Sequence, residues 1–228
     1  MTSASPDDLR AALRDDVVAV AAATARFHRT LGSLSDDALR APSLLPGWSR
    51  AHVAGHVARN AEGMLNLVAW AVTGVRTPMY PSAQAREEGI ASAAALDAAA
   101  LRALSEDAAA RFDAALDNLL AAPDAALERL VLFGPDRPDV VPDVPAFSLV
   151  YARLREVEIH HVDLGAAYSP DLWPGEFVSR THAWIDGRVG PTDVTGDPAE
   201  VLAWRIGRGA GPSVTGPDGG APPAPPAW

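Results

Sequence analysis

Residues 151–165 read YARLREVEIHHVDLG. At about 100° per residue, a helix through this stretch puts Arg153, Glu156, His160 and Asp163 in one stripe. Val150, Leu154, Val157, His161 and Leu164 fall on one side of the stripe, and Ala152 and Ile159 on the other. Arg155 and Glu158 point away and read as the solvated face. A polar stripe between two apolar flanks marks a helix that lines a cavity. The helix predicted to carry it covers 147–165.

Upstream, Pro46-Gly47 makes a turn, and 48–73 read as a second long helix. There His52, His56, Asn60 and Gly63 form a comparable stripe. His52 and His56 are four residues apart, as are Glu156 and His160, so each pair shares a helix face. A helix over 7–31 is marked by Leu9, Leu13, Val17 and Val20, with Ser5 as its N-cap and Pro6 in its first turn. A third long helix over 93–120 carries Leu96, Leu101, Leu104, Phe112, Leu116 and Leu119. Pro78 and Pro81 break the chain after the second helix. Pro135, Pro138, Pro142 and Pro145 fill an extended connection before the fourth. Ala, the best helix former, dominates the first two thirds, and four long helices suit an up-and-down bundle.

Beyond Leu164 Gly and Pro become frequent and helical runs shorten. Helices are expected over 176–188 and 198–208, and short β-rich pieces at 189–194 and 212–215 could pair. The predicted fold is therefore mainly α with a small α+β C-terminal domain: a four-helix bundle over 1–168 and the second domain over 169–228. The tail GGAPPAPPAW is Pro-rich and reads as an extended, flexible tail.

The composition removes several chemistries. All 19 basic residues are Arg, so Schiff-base and P-loop reactions that need a Lys are excluded. There are no cysteines, which removes disulfides, thiolate metal sites and a thiol nucleophile borne by the protein. A net charge of −10 argues against neutralising nucleic-acid phosphate or anionic lipid. The N-terminus carries Asp7 and Asp8 where a secretory signal would be basic and then apolar. The most apolar run, 64–75, is well short of the roughly 20 residues of a membrane span. A cytoplasmic protein is expected, with a monomer favoured.

In a four-helix bundle, side chains that project inward from facing helices can build a metal site. Imidazole and carboxylate donors without sulfur suit zinc, and three protein ligands leave a fourth position open, the catalytic arrangement. Histidines beside Val and Leu are also common packing residues, so spacing alone leaves both readings open.

Three motifs occur in order: LLPGWSRAHVAGHVARNAEGM at 44–64, TPMYPSAQAREEGI at 77–90 and YARLREVEIHHVDLG at 151–165. Together they resemble the mycothiol-dependent maleylpyruvate isomerases, members of the wider DinB-like zinc-bundle family. LAWRIGRGAG at 202–211 is similar to the Gly-Arg-Gly segment of that family's second domain, and the resemblance extends to the Pro-Pro-Ala-Trp ending. It implies a DinB-like up-and-down four-helix bundle and a metal held by His56, Glu156 and His160. His52 and His161 would then be neighbours or packing residues. It further implies that Arg86 lies near substrate carboxylates and that Arg208 helps to hold thiol or substrate. A surface ion pair with Glu87 or Glu88 is the plainer role for Arg86, and a loop cap the plainer one for Arg208.

Cis–trans rotation about a C=C bond requires that its π bond be broken for a moment, and reversible addition of a thiolate does this. With no cysteine in the chain the thiol must come from outside, and the resemblance implies mycothiol, bound at zinc. The implied activity is conversion of maleylpyruvate, a small dicarboxylate, to fumarylpyruvate in aromatic (gentisate) breakdown. The same machinery would serve a mycothiol S-transferase acting on another electrophile. A helical bundle that binds a metal or small molecule without chemistry is the non-enzymatic alternative.

Overall fold

The computed structural model describes residues 6–137 and 139–226. The predicted Ser5 cap and the last two residues of the Pro-Pro-Ala-Trp ending lie outside them. Contacts divide the chain into two compact units, Met1–Leu164 and Gly165–Trp228. Among the described residues the chain is mainly helical with one small two-stranded sheet.

In the first unit α1 (Pro6–Ser33) opens with Asp7 and Asp8, whose charges suit the positive end of the helix dipole. It buries Leu13, Val20, Ala23, Phe27 and Leu31. A short α2 (Asp36–Arg40) follows, capped by Ser35. The long α3 (Arg50–Thr73) starts two residues later than predicted, because Ser49 is its N-cap: Ser49 Oγ accepts from the His52 N–H at 3.3 Å. It stops at Gly74, whose φ of 79° is the left-handed conformation that ends helices.

The expected single helix over 93–120 is two helices. Ala93 falls in the last turn of α4 (Ala83–Ala94), and α5 (Ala98–Ala121) begins after Asp97, whose carboxylate accepts from the Ala100 N–H at 2.8 Å. Alanine permits a helix anywhere along this stretch, so the break is set by the Asp97 cap and not by any breaker residue. A one-turn α6 (Asp124–Leu127) leads into β1 (Leu130–Val131), which pairs antiparallel with β2 (Val144–Pro145). The Pro-rich connection thus contributes a strand. The stripe-bearing α7 spans Ser148–Asp163.

Helix α3 packs against α4, α5 and α7, while α1 packs against α5 and α7. The α3–α4 approach depends on Gly55, since a Cβ there would stand 2.8 Å from Ala93 Cβ and 3.3 Å from the Ala94 nitrogen. Gly55→Ala is expected to destabilise the protein by about 1–3 kcal/mol through overpacking. Thermal unfolding by circular dichroism checks this, and an unchanged midpoint would refute the tight contact.

One sequence expectation about α7 is overturned. Glu158 is fully buried, and its carboxylate meets Arg26 of α1 at 2.5 Å. The face read as solvated is the one that α1 covers.

The second unit holds a 3₁₀ turn (Pro170–Leu172), α8 (Gly175–Val189) and α9 (Pro198–Arg205), with Val194, Val201, Trp204 and Val214 clustered in its core. Among the described residues the pairing expected between 189–194 and 212–215 is reduced to one antiparallel bridge, Thr195 with Thr215. Val189 still belongs to α8, and Pro191 and Pro198 have no N–H to extend a ladder. The tail expected to be flexible is pinned where the Trp204 Nε1–H donates to the Pro223 carbonyl at 2.9 Å.

Candidate functional site

The polar stripes of α3 and α7 meet. His56 Nε2 lies 3.1 Å from Glu156 Oε2 and 3.0 Å from His160 Nε2. His160 Nε2 and Glu156 Oε2 are 3.5 Å apart. The three donor atoms all lie within 4.8 Å of one another. Around a tetrahedral zinc with bonds of about 2.0–2.2 Å, donors would stand roughly 3.3–3.6 Å apart, so the observed triangle fits a small divalent cation with little adjustment.

The surrounding groups strengthen that fit. His160 Nδ1 is 2.8 Å from Asp163 Oδ2, so Asp163 accepts a hydrogen bond from the Nδ1–H and leaves the Nε2 lone pair facing His56 and Glu156. A carboxylate on the far nitrogen of a ligating histidine is the usual support for metal-binding imidazole. The Trp48 ring meets His56 edge-on, with centroids 5.7 Å apart. Buried Arg153 donates to the Val57 carbonyl at 2.9 Å and to Asn60 Oδ1 at 2.8 Å, tying α7 to α3 one turn from His56.

Electrostatics follow from this packing. Burial works to raise the Glu156 pKa, but hydrogen bonds from His160 and His56 outweigh it and hold the carboxylate well below its ordinary range. Burial lowers the His56 pKa, which keeps a lone pair available. For His160, burial works downward, and the bonds to Asp163 and Glu156 reverse it and raise the pKa. A proton and a divalent cation therefore compete for the His160 Nε2 lone pair.

The other histidines have different surroundings. His52 serves the α3 N-terminus: its Nδ1 stands 2.8 Å from Ser49 Oγ and accepts from the Ser49 N–H at 3.3 Å. His161 faces α1, with Nε2 2.7 Å from Thr30 Oγ1 and the Phe27 ring edge-on at 5.6 Å. Burial there pushes its pKa down to about 4.

Arg86, on α4, pairs with Glu87 and also places Nη2 3.5 Å from His56 Nδ1. Arg208 belongs to the second unit, where its Nη1 donates to the Ile206 carbonyl at 2.8 Å and its N–H to the Ala203 carbonyl at 2.8 Å. One participant had no role in the sequence reading. Asp163 was visible as a member of the stripe, three residues after His160, and that spacing was the available signal.

The model of the family described as mycothiol maleylpyruvate isomerase N-terminal domain matches residues 20–165. Two solved structures are similar, a mycothiol-dependent maleylpyruvate isomerase and a histidine-to-alanine mutant of the mycothiol-dependent maleylpyruvate isomerase. Each is 31% identical and superposes with a TM-score of 0.83, covering 95% of this chain and 97% of the other. No curated protein matches the chain. No helix among the described residues is long and apolar enough to cross a membrane. With a family match that takes in α3 and α7, which carry the His56, Glu156 and His160 cluster, and a structural likeness running almost end to end, the chain belongs to the mycothiol maleylpyruvate isomerase family.

Proposed function

We propose that the chain is a zinc- and mycothiol-dependent cis–trans isomerase that converts maleylpyruvate to fumarylpyruvate. The observation that carries this reading is the convergence of His56, Glu156 and His160 donors within 4.8 Å, in a protein without cysteine. In the same reading α1, α3, α5 and α7 make up an up-and-down four-helix bundle of the DinB-like type.

When metal and mycothiol are bound, they supply a thiolate at neutral pH that adds reversibly to the conjugated alkene, so the former double bond can rotate. His56, Glu156 and His160 hold the metal. Asp163 keeps the His160 proton on Nδ1 and so aims Nε2 at the metal. Arg86 offers a planar fork to a substrate carboxylate, and its positive charge stabilises the negative charge that develops on the substrate oxygen. Arg208 is assigned to holding thiol or substrate.

Absorbance-monitored turnover of maleylpyruvate by zinc-loaded protein tests the assignment. Product is expected only when mycothiol is added, with the thiol recovered in full. Thiol lost one for one with product would identify an S-transferase, and no turnover with both present would refute the isomerase.

A further inference from the structure

Two arginines join α3 to α7 on opposite sides of the donor triangle. At one end Arg50 Nε, at the start of α3, donates to the Leu164 carbonyl at 2.6 Å. At the other, Arg153 Nη1 of α7 donates to the Val57 carbonyl at 2.9 Å and to Asn60 Oδ1 at 2.8 Å. His56 lies between residues 50 and 60 of α3, and Glu156 and His160 lie between residues 153 and 164 of α7. The two helices therefore run antiparallel through the site, and cross-helix bonds bracket the donors.

Arg153 is the deeper of the two arginines. It is buried, as is Asn60, and its guanidinium carbon lies 5.9 Å from the centre of the Phe112 ring of α5. Both of its hydrogen-bond acceptors are neutral groups of α3. Burying a cation is costly, and well-packed apolar side chains often hold two helices together at least as well. A guanidinium at this contact therefore does something that packing alone does not. Its two bonds meet α3 at the residue next to His56 and one turn further on, and on its own helix it stands about 4.5 Å of axial rise before Glu156.

Resting on the metal-site reading above, we propose that Arg153 is a positioning residue for the donor triangle. Its bonds to Val57 and Asn60 fix the register of α3 on α7 and hold His56 within reach of the same cation as Glu156 and His160. A slip of α3 by one residue would carry His56 about 1.5 Å along the helix axis and about 100° around it. A triangle assembled before the metal arrives loses less freedom on binding than one that the metal must gather.

The experiment titrates the metal-free full chain with cobalt(II), whose visible absorption reports the number and geometry of its ligands, and then with zinc in competition. Arg153→Met keeps a long side chain and removes its N–H groups. It is expected to bind zinc about 10-fold more weakly, the low end of the effect of groups that orient metal ligands, and to shift the cobalt spectrum. Arg153→Lys is expected to recover part of that affinity, because both bonds come from one nitrogen atom, whose place an ammonium can take. Asn60→Leu removes one bond from the α3 side and is expected to weaken zinc binding too, adding little when combined with Arg153→Met. If Arg153→Met does not fold, Arg153→Lys and Asn60→Leu carry the test. Folded variants with the parental zinc affinity and cobalt spectrum, whatever their thermal stability, would overturn the proposal and leave Arg153 a packing role. A parent protein that takes up neither metal would overturn the metal-site reading, and the positioning role with it.

Discussion

Glu156→Gln is expected to yield a folded protein that no longer retains zinc and has lost its activity. Glu156 offers the only carboxylate oxygen in the donor triangle, and its anionic form is the one that the surrounding histidines favour. A neutral amide keeps the shape but supplies no charge to offset a divalent cation. His56→Ala and His160→Ala are expected to behave in the same way, because two donors cannot complete the three-ligand arrangement of a catalytic zinc. Asp163→Asn is the graded case. All three donors remain, but His160 loses the carboxylate that fixes its tautomer, and metal affinity is expected to fall about 10–100-fold. His161→Ala, in contrast, is expected to retain zinc and to lose stability, since His161 contacts Thr30 and Phe27 of α1. Metal content after exhaustive dialysis, measured by mass spectrometry, separates these outcomes. Full zinc occupancy in Glu156→Gln would refute the ligand assignment.

The largest effect on stability is expected at the Arg26–Glu158 pair. Arg26→Leu removes the cation that faces a fully buried carboxylate 132 positions away in sequence. Stripping one partner from a buried ion pair costs about 3 kcal/mol or more, because the remaining charge is left in a low-dielectric setting. In a protein of this size that corresponds to a fall of roughly 6–12 °C in the unfolding midpoint. The double variant Arg26→Leu with Glu158→Leu is expected to recover most of the loss, since apolar replacement of a whole buried pair is often close to neutral. Calorimetric unfolding of the two variants checks this. A single variant as stable as the parent would show that Arg26 does not compensate the Glu158 charge.

These two predictions stand at opposite ends of what could be read along the chain. Glu156 and His160 share a face of α7 as a direct consequence of helical periodicity, and so do His52 and His56 on α3. Periodicity could not choose between the two α3 histidines. The motif resemblance pointed to His56, and the packing of α3 on α7 brings that residue to Glu156 while Ser49 engages His52 at the helix start. Glu158 was misread for the same kind of reason. A charged residue on a helical wheel looks solvated until a second helix covers it, and the covering residue, Arg26, lies on α1. The break between α4 and α5 was also hidden, because an alanine run carries helix propensity on both sides of the Asp97 cap.

By itself the sequence determined the mainly helical character, the positions of α1, α3 and α7 to within a few residues, and the chemistry of the available donors. Apolar periodicity, alanine content and the absence of cysteine and lysine are local properties that need no partner to be read. Only the tertiary structure decided which polar faces meet, which charges are paired across helices, and that Arg86 stands beside His56. Those outcomes depend on how helices far apart in the chain pack on one another, and close packing of whole helices is a property that no single stretch of residues contains.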